Sequence, residues 1–167
     1  MIREIAGYER RRSLRIKNLE EEAGIRPRAI LVSLCLDTDG KAGESGKLYC
    51  LWEEHPIVFS SLFQAVNQME ELYDACASPQ ASARLRSFSG KTPKRPPFAP
   101  KEIWEDGTLK TLLQNRGVKA TFWIRVLYRQ HTSWQGEVTW VERQKKEYFR
   151  STLELLGLMD SALRAEM

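Results

Sequence analysis

The amino-acid sequence predicts an α+β protein made of two tandem strand-strand-strand-helix repeats with pseudo-two-fold symmetry, together with an N-terminal helix and a proline-rich strap. The main observation is that residues 30–74 and 120–164 align without a gap at a constant offset of 90. A hydrophobic pattern that recurs at a fixed spacing is typical of a repeated supersecondary unit. Identical residues across the offset include Gly46 and Gly136, Phe59 and Phe149, Ser61 and Ser151, and Met69 and Met159.

The first repeat contains signals for three strands and one helix. Apolar and β-branched residues predict strands over 29–36, 47–53 and 57–59. A helix over 61–76 follows, because Ser61 and Gln64 have the spacing of a capping box, in which the hydroxyl accepts a backbone N–H and the amide reaches back. At helical spacing, the expected buried face consists of Phe63, Val66, Met69 and Tyr73.

The second repeat shows the same signals in the same order. Strands are predicted over 120–128, 136–142 and 147–150, and Ser151 with Glu154 forms the second capping box. The expected buried stripe of its helix is Leu153, Leu156, Met159 and Leu163. Alternation along 120–128 assigns Phe122, Ile124, Val126 and Tyr128 to one face of the sheet, and Thr121, Trp123, Arg125 and Leu127 to the other. The pattern leaves open whether the two sheets join or stack.

The chain therefore divides into three parts. Residues 1–77 hold an N-terminal helix over 2–24 and the first βββα repeat, and residues 102–167 hold a short helix and the second repeat. Between them, residues 78–101 contain five of the seven prolines and mostly basic charge, which indicates a linker or an extended strap.

Composition predicts a soluble cytoplasmic protein. The chain has 167 residues, a net charge of +4 and a pI of about 9.0. No apolar run approaches the roughly 20 residues that span a bilayer, and the charged start of the chain lacks the apolar core of a secretory signal. Three cysteines, an odd number, favour reduced thiols over a disulfide framework.

The sequence indicates no catalytic residue, no metal site and no cofactor. Its two histidines are far apart and it lacks a Cys-x-x-Cys pair, so metal ligands are not clustered. Cys50 with His55 is the only nearby pair of thiol and base, and their spacing crosses a strand end. The glycine-rich segment 40–47 leads into a strand rather than a helix, so it predicts a hairpin turn and not a phosphate loop.

Aromatic residues provide the main functional signal. A sheet face that bears tryptophan, leucine and arginine is too apolar to be left in water, so it packs against the other repeat, a second copy of the chain or another protein. Tryptophan and arginine are typical anchors of protein interfaces. The first hypothesis is therefore a non-catalytic binding or adaptor protein of the bacterial cytoplasm, with a partner surface made of Trp123, Arg125, Arg129, Trp134 and Trp140.

The alternative hypothesis is a nucleic-acid-binding regulator or accessory factor. It rests on the basic N-terminal segment, the strap and the sheet surface, because clustered lysine and arginine displace counterions from phosphates. The candidate nucleic-acid contacts are Arg10, Arg11, Arg12, Arg15, Lys17, Lys94 and Arg95.

The second repeat resembles a family of small uncharacterised proteins of anaerobic Gram-positive bacteria. The resemblance lies in a Phe-x-Ile-x-Val strand over 122–126, the pattern Trp-Gln-Gly-x-Val-x-Trp over 134–140, and Phe-Arg-Ser-x-x-Glu-Leu over 149–155. It covers about a quarter of the chain and implies no catalytic residue. The strand-to-helix step at 149–151 is also similar to that of the plant-type three-stranded DNA-binding domain, which is an analogy of fold alone.

Overall fold

The computed structural model describes residues 31–38, 43–51, 53, 55–83, 86, 88 and 111–165. The predicted helix over 2–24, most of the strap and all seven candidate nucleic-acid contacts lie outside the described residues. The described elements are β1 (Leu31–Thr38), β2 (Ser45–Cys50), β3 (Ile57–Phe59), α1 (Leu62–Ala75), β4 (Ala120–Tyr128), β5 (Gln135–Trp140), a 3-10 turn (Val141–Arg143), β6 (Lys145–Phe149) and α2 (Thr152–Arg164).

The predicted α+β class is confirmed. All six strands form one antiparallel sheet in the order β3-β2-β1-β4-β5-β6. The two three-stranded sheets thus join edge to edge instead of stacking, because β1 pairs with β4. At the centre of that pairing Ser33 lies opposite Trp123.

Strand pairing in the second half matches that in the first half at the offset of 90. Leu34 pairs with Leu48, and Ile124 pairs with Val138. The irregularity between Leu36 and Thr38 in β1 has its counterpart between Val126 and Tyr128 in β4. A bulge at this point bends the strand and ends its alternation, so Tyr128, which was predicted to face the helices, is instead exposed.

Two glycines allow the sheet to pack against two aromatic rings. Gly46 pairs with Phe59, and Gly136 pairs with Phe149. A Cβ atom on either glycine would lie 2.0 Å from a carbonyl oxygen of the neighbouring strand and within 3.0 Å of the phenylalanine ring. The four identical residues therefore form one structural feature that occurs twice, in which a buried ring lies over a position without a side chain.

Both helices begin where the capping boxes predict. The Ser61 hydroxyl accepts the N–H of Gln64, and the Ser151 hydroxyl accepts the N–H of Glu154. The return bonds go one residue further than expected, since Gln64 accepts from the N–H of Ser60 and Glu154 from the N–H of Arg150. Each cap thus holds the end of the preceding strand as well as the helix start.

The predicted buried stripes are wrong at their first positions. Phe63 is 76% exposed and Leu153 is 79% exposed. The buried positions are instead Ala65, Met69, Leu72 and Tyr73 in α1, and Leu155, Met159 and Ala162 in α2. In the first turn of each helix the core residue is Ala65 or Leu155, two positions after Phe63 or Leu153, so the second helical position points away from the core.

The main core lies between the sheet and the two helices. It contains the even-numbered residues of the central strands, including Leu34 and Ile124, as the alternation predicted. A second, smaller apolar cluster lies on the opposite face and is formed by Leu31, Leu51 and Leu112, with Tyr49, Leu113 and Trp123 packed against it. Residues 111–114 are helical, which places part of the predicted short helix on that face.

Strand ends differ from their predicted positions by a few residues. The second strand ends at Cys50 instead of residue 53, and β5 ends at Trp140 because Val141–Arg143 turns into a 3-10 helix. Gln144 then adopts a left-handed backbone with φ 52°, which reverses the chain into β6. No alternation of side chains signals such a turn in advance.

Candidate functional site

The three predicted anchor tryptophans lie in three different environments. Trp134 is buried in the main core, Trp123 packs against the second cluster on the opposite face, and Trp140 is half-buried at the edge of the main core. The structure therefore does not bring these residues together on one surface.

Trp134 and Arg129 belong to an ionic cluster that is buried at the arginine and exposed at Asp74. Trp134 is 4% exposed, meets the Tyr73 ring edge-on, and donates its indole N–H to Glu70. Arg129 is also 4% exposed, and its Nη1 lies 3.0 Å from Glu70 and 2.7 Å from Asp74. Burial raises the pKa of Tyr73, which holds the phenol neutral.

Arg129 also connects three parts of the chain. Its Nε donates to the carbonyl of Pro79 at 2.7 Å, and its backbone carbonyl accepts the N–H of Ser82. The start of the strap is thus bound to the end of β4, while the carboxylates come from α1. The arginine acts as an internal tie between the two halves.

A cleft of about 160 Å³ lies beside this cluster. Its walls include Glu70, Arg129, Ser133 and Thr152. The start of α2 is not open to a ligand here, because Ser133 Oγ already accepts the N–H of Thr152. Since Arg129 and the helix terminus both have partners within the chain, the cleft offers no charge that needs a ligand.

Arg125 lies on the face opposite the helices and is also buried. Its Nη1 is 2.6 Å from Glu137, and Lys146 lies 2.9 Å from the other oxygen of the same carboxylate. Next to it in the sheet, Trp123 has the guanidinium of Arg116 over its ring at 5.7 Å. The ion pairs of Arg125, Glu137 and Lys146 connect β4, β5 and β6 on the face of the sheet opposite the helices.

Trp140 borders an apolar groove of about 250 Å³ between α2 and the last two strands. We call this the β6 groove; its lining includes Phe122, Val138, Trp140, Lys145, Glu147, Leu158, Met159, Ser161, Ala162 and Ala165. The guanidinium of Arg143 lies 5.7 Å from the centroid of the Trp140 ring. Trp140 Nε1 is buried and finds no acceptor among the residues that the structure describes.

The groove opens beside β6, which is the last strand of the sheet. The first four residues of this strand, Lys145 to Tyr148, are all exposed. Tyr148 is 69% exposed and lies on the face of the sheet opposite the groove, since it pairs with Glu137. The sequence pattern indicated Trp140 but not the groove-lining residues Lys145 and Ser161, which no motif distinguishes from ordinary surface residues.

At the opposite edge of the sheet, two positions that correspond to the groove lining carry different residues. At the offset of 90, Cys50 takes the position of Trp140 and is buried. Gln68 takes the position of Leu158, and its side chain donates to the carbonyl of Val58 in β3. At these two positions, the aromatic and apolar side chains that line the groove in the second half are thus replaced in the first half.

Cys35 and Cys76 are poorly suited to thiolate chemistry. Burial raises the pKa of Cys35, and burial together with the neighbouring Cys50 raises the pKa of Cys76 to about 11. Such thiols are almost fully protonated at neutral pH, and a thiol attacks poorly in that form. Cys35 and Cys50 are on opposite faces of the sheet, since Cys50 pairs with Val32 while Cys35 pairs with Lys47.

Within the described ranges, no group of three or more histidine, cysteine, aspartate or glutamate side chains is placed to hold a metal ion. The described helices include none that is both long and apolar enough to cross a membrane. No protein-family model matches this chain, and no match was found among curated proteins or solved structures.

Proposed function

We propose that this protein is a non-catalytic binding protein that recruits another protein through the β6 groove. The observation that carries the proposal is the β6 groove itself, an apolar space of about 250 Å³ whose wall includes Trp140 and which opens beside the exposed strand β6. Apolar side chains of a partner that fill this space would be removed from water, which favours binding.

The chemistry of the groove supports this role. The charged side chains of Arg143, Lys145 and Glu147 lie at the border of its apolar lining. Interfaces commonly combine a central aromatic anchor with a polar rim. Of the five predicted partner contacts, Trp140 is the one that we retain as an anchor, because Arg125, Arg129 and Trp134 are engaged inside the chain and Trp123 covers the second cluster.

We further infer that the two halves arose by duplication and are related by a pseudo-two-fold axis near the Ser33–Trp123 pair. Equal strand pairing, equal bulges and equal glycine–phenylalanine contacts at one offset support this origin. On this view the groove-lining Trp140 of the second half corresponds to the buried Cys50 of the first half.

Affinity capture with a groove-blocking variant tests the proposed function. Ser161 is exposed and lines the groove, so Ser161→Trp should cover it without disturbing the core. Glu71 is the matching position on α1, which makes Glu71→Trp the control. We expect proteins bound by the wild-type chain in nuclease-treated lysate to be retained by the control and lost with Ser161→Trp.

Two results would argue against the proposal. Equal capture by the wild type and Ser161→Trp would exclude the groove. Capture that disappears on nuclease treatment alone, with steep salt dependence, would instead favour the nucleic-acid alternative. Thermal unfolding of both variants shows whether either substitution has disturbed the fold.

A further inference from the structure

We draw no further inference here: the strongest candidate, the exposed edge strand β6 beside the apolar groove, carries nothing beyond the proposed function, because nothing among the residues that the structure describes shows what covers it.

Discussion

At the scale of single residues, the glycine–phenylalanine pairs show how one missing side chain permits two strands and a ring to meet. Gly136 lies directly opposite Phe149, and the edge of the ring occupies the space that a Cβ would need. Gly46 and Phe59 repeat this arrangement in the first half. The sequence shows that these residues are identical in the two halves. The structure gives the reason for the glycines, which is the close approach of a carbonyl oxygen of the neighbouring strand.

Substitution of Gly136 by alanine should therefore destabilise the protein. The new Cβ would lie 2.0 Å from the carbonyl oxygen of Arg125, so the strands must move apart. We expect a loss of at least about 2 kcal/mol in the free energy of unfolding, measured by denaturant titration. Gly157→Ala is the control: a Cβ there meets nothing within 4 Å, and alanine should stabilise the helix by about 0.5–1 kcal/mol.

A second prediction contrasts two phenylalanines that are four residues apart. Phe59 is 1% exposed and Phe63 is 76% exposed. We expect Phe59→Ala to cost about 3–5 kcal/mol and Phe63→Ala to change stability by less than about 0.5 kcal/mol. Denaturant titration distinguishes the two, and a large loss for Phe63→Ala would mean that this ring is buried in solution.

At the scale of elements, local signals located both helices well. Ser61 and Ser151 cap α1 and α2, because a side-chain hydroxyl next to the first turn satisfies a backbone N–H that has no partner within the helix. The two caps differ in one respect. Gln64 makes the return bond in the first half, whereas the ionisable Glu154 makes it in the second.

This difference predicts that only the second cap responds to acid. Hydrogen bonds from the backbone and side chain of Arg150 lower the pKa of Glu154. A carboxyl with a lowered folded-state pKa stabilises the protein above its unfolded pKa of about 4.3, and the contribution disappears as the pH falls through the folded value. The difference in melting temperature between wild type and Glu154→Gln should thus be present at neutral pH and vanish in acid.

The matched substitution Gln64→Glu gives the reverse comparison, since it introduces an ionisable return bond into the first cap. Its effect on melting temperature should acquire the pH dependence that Glu154→Gln removes. A constant difference across the whole pH range would show that the charge of Glu154 does not contribute to the cap.

At the scale of the whole molecule, pairing of β1 with β4 makes one sheet from two. Each of these central strands is covered on both faces, which explains why polar residues such as Ser33 and Thr121 are buried there. The Arg129 cluster ties the same halves on the helix side, since its carboxylates come from α1 and its arginine follows β4.

Arg129→Lys should weaken this tie despite conserving the charge. Lysine has one nitrogen and cannot bind Glu70, Asp74 and the Pro79 carbonyl in the planar arrangement of a guanidinium. We expect a loss of about 2 kcal/mol in stability and faster proteolysis within residues 78–83. Arg164→Lys is the control, because its surface pair with Asp160 contributes at most about 0.5 kcal/mol.

The sequence by itself determined the order of the six strands and the two long helices, the helix starts, and the faces of the central strands up to the bulge before Tyr128. These features depend on contacts between residues that are close in sequence, so the alternation of apolar residues and the capping residues predict them directly. Only the tertiary structure decided that the sheets join at β1 and β4, that Phe63 faces solvent, and that Arg129 lies buried against Asp74, 55 positions away. The β6 groove belongs to this second group, because its walls come from strands and a helix whose spacing is set by long-range packing.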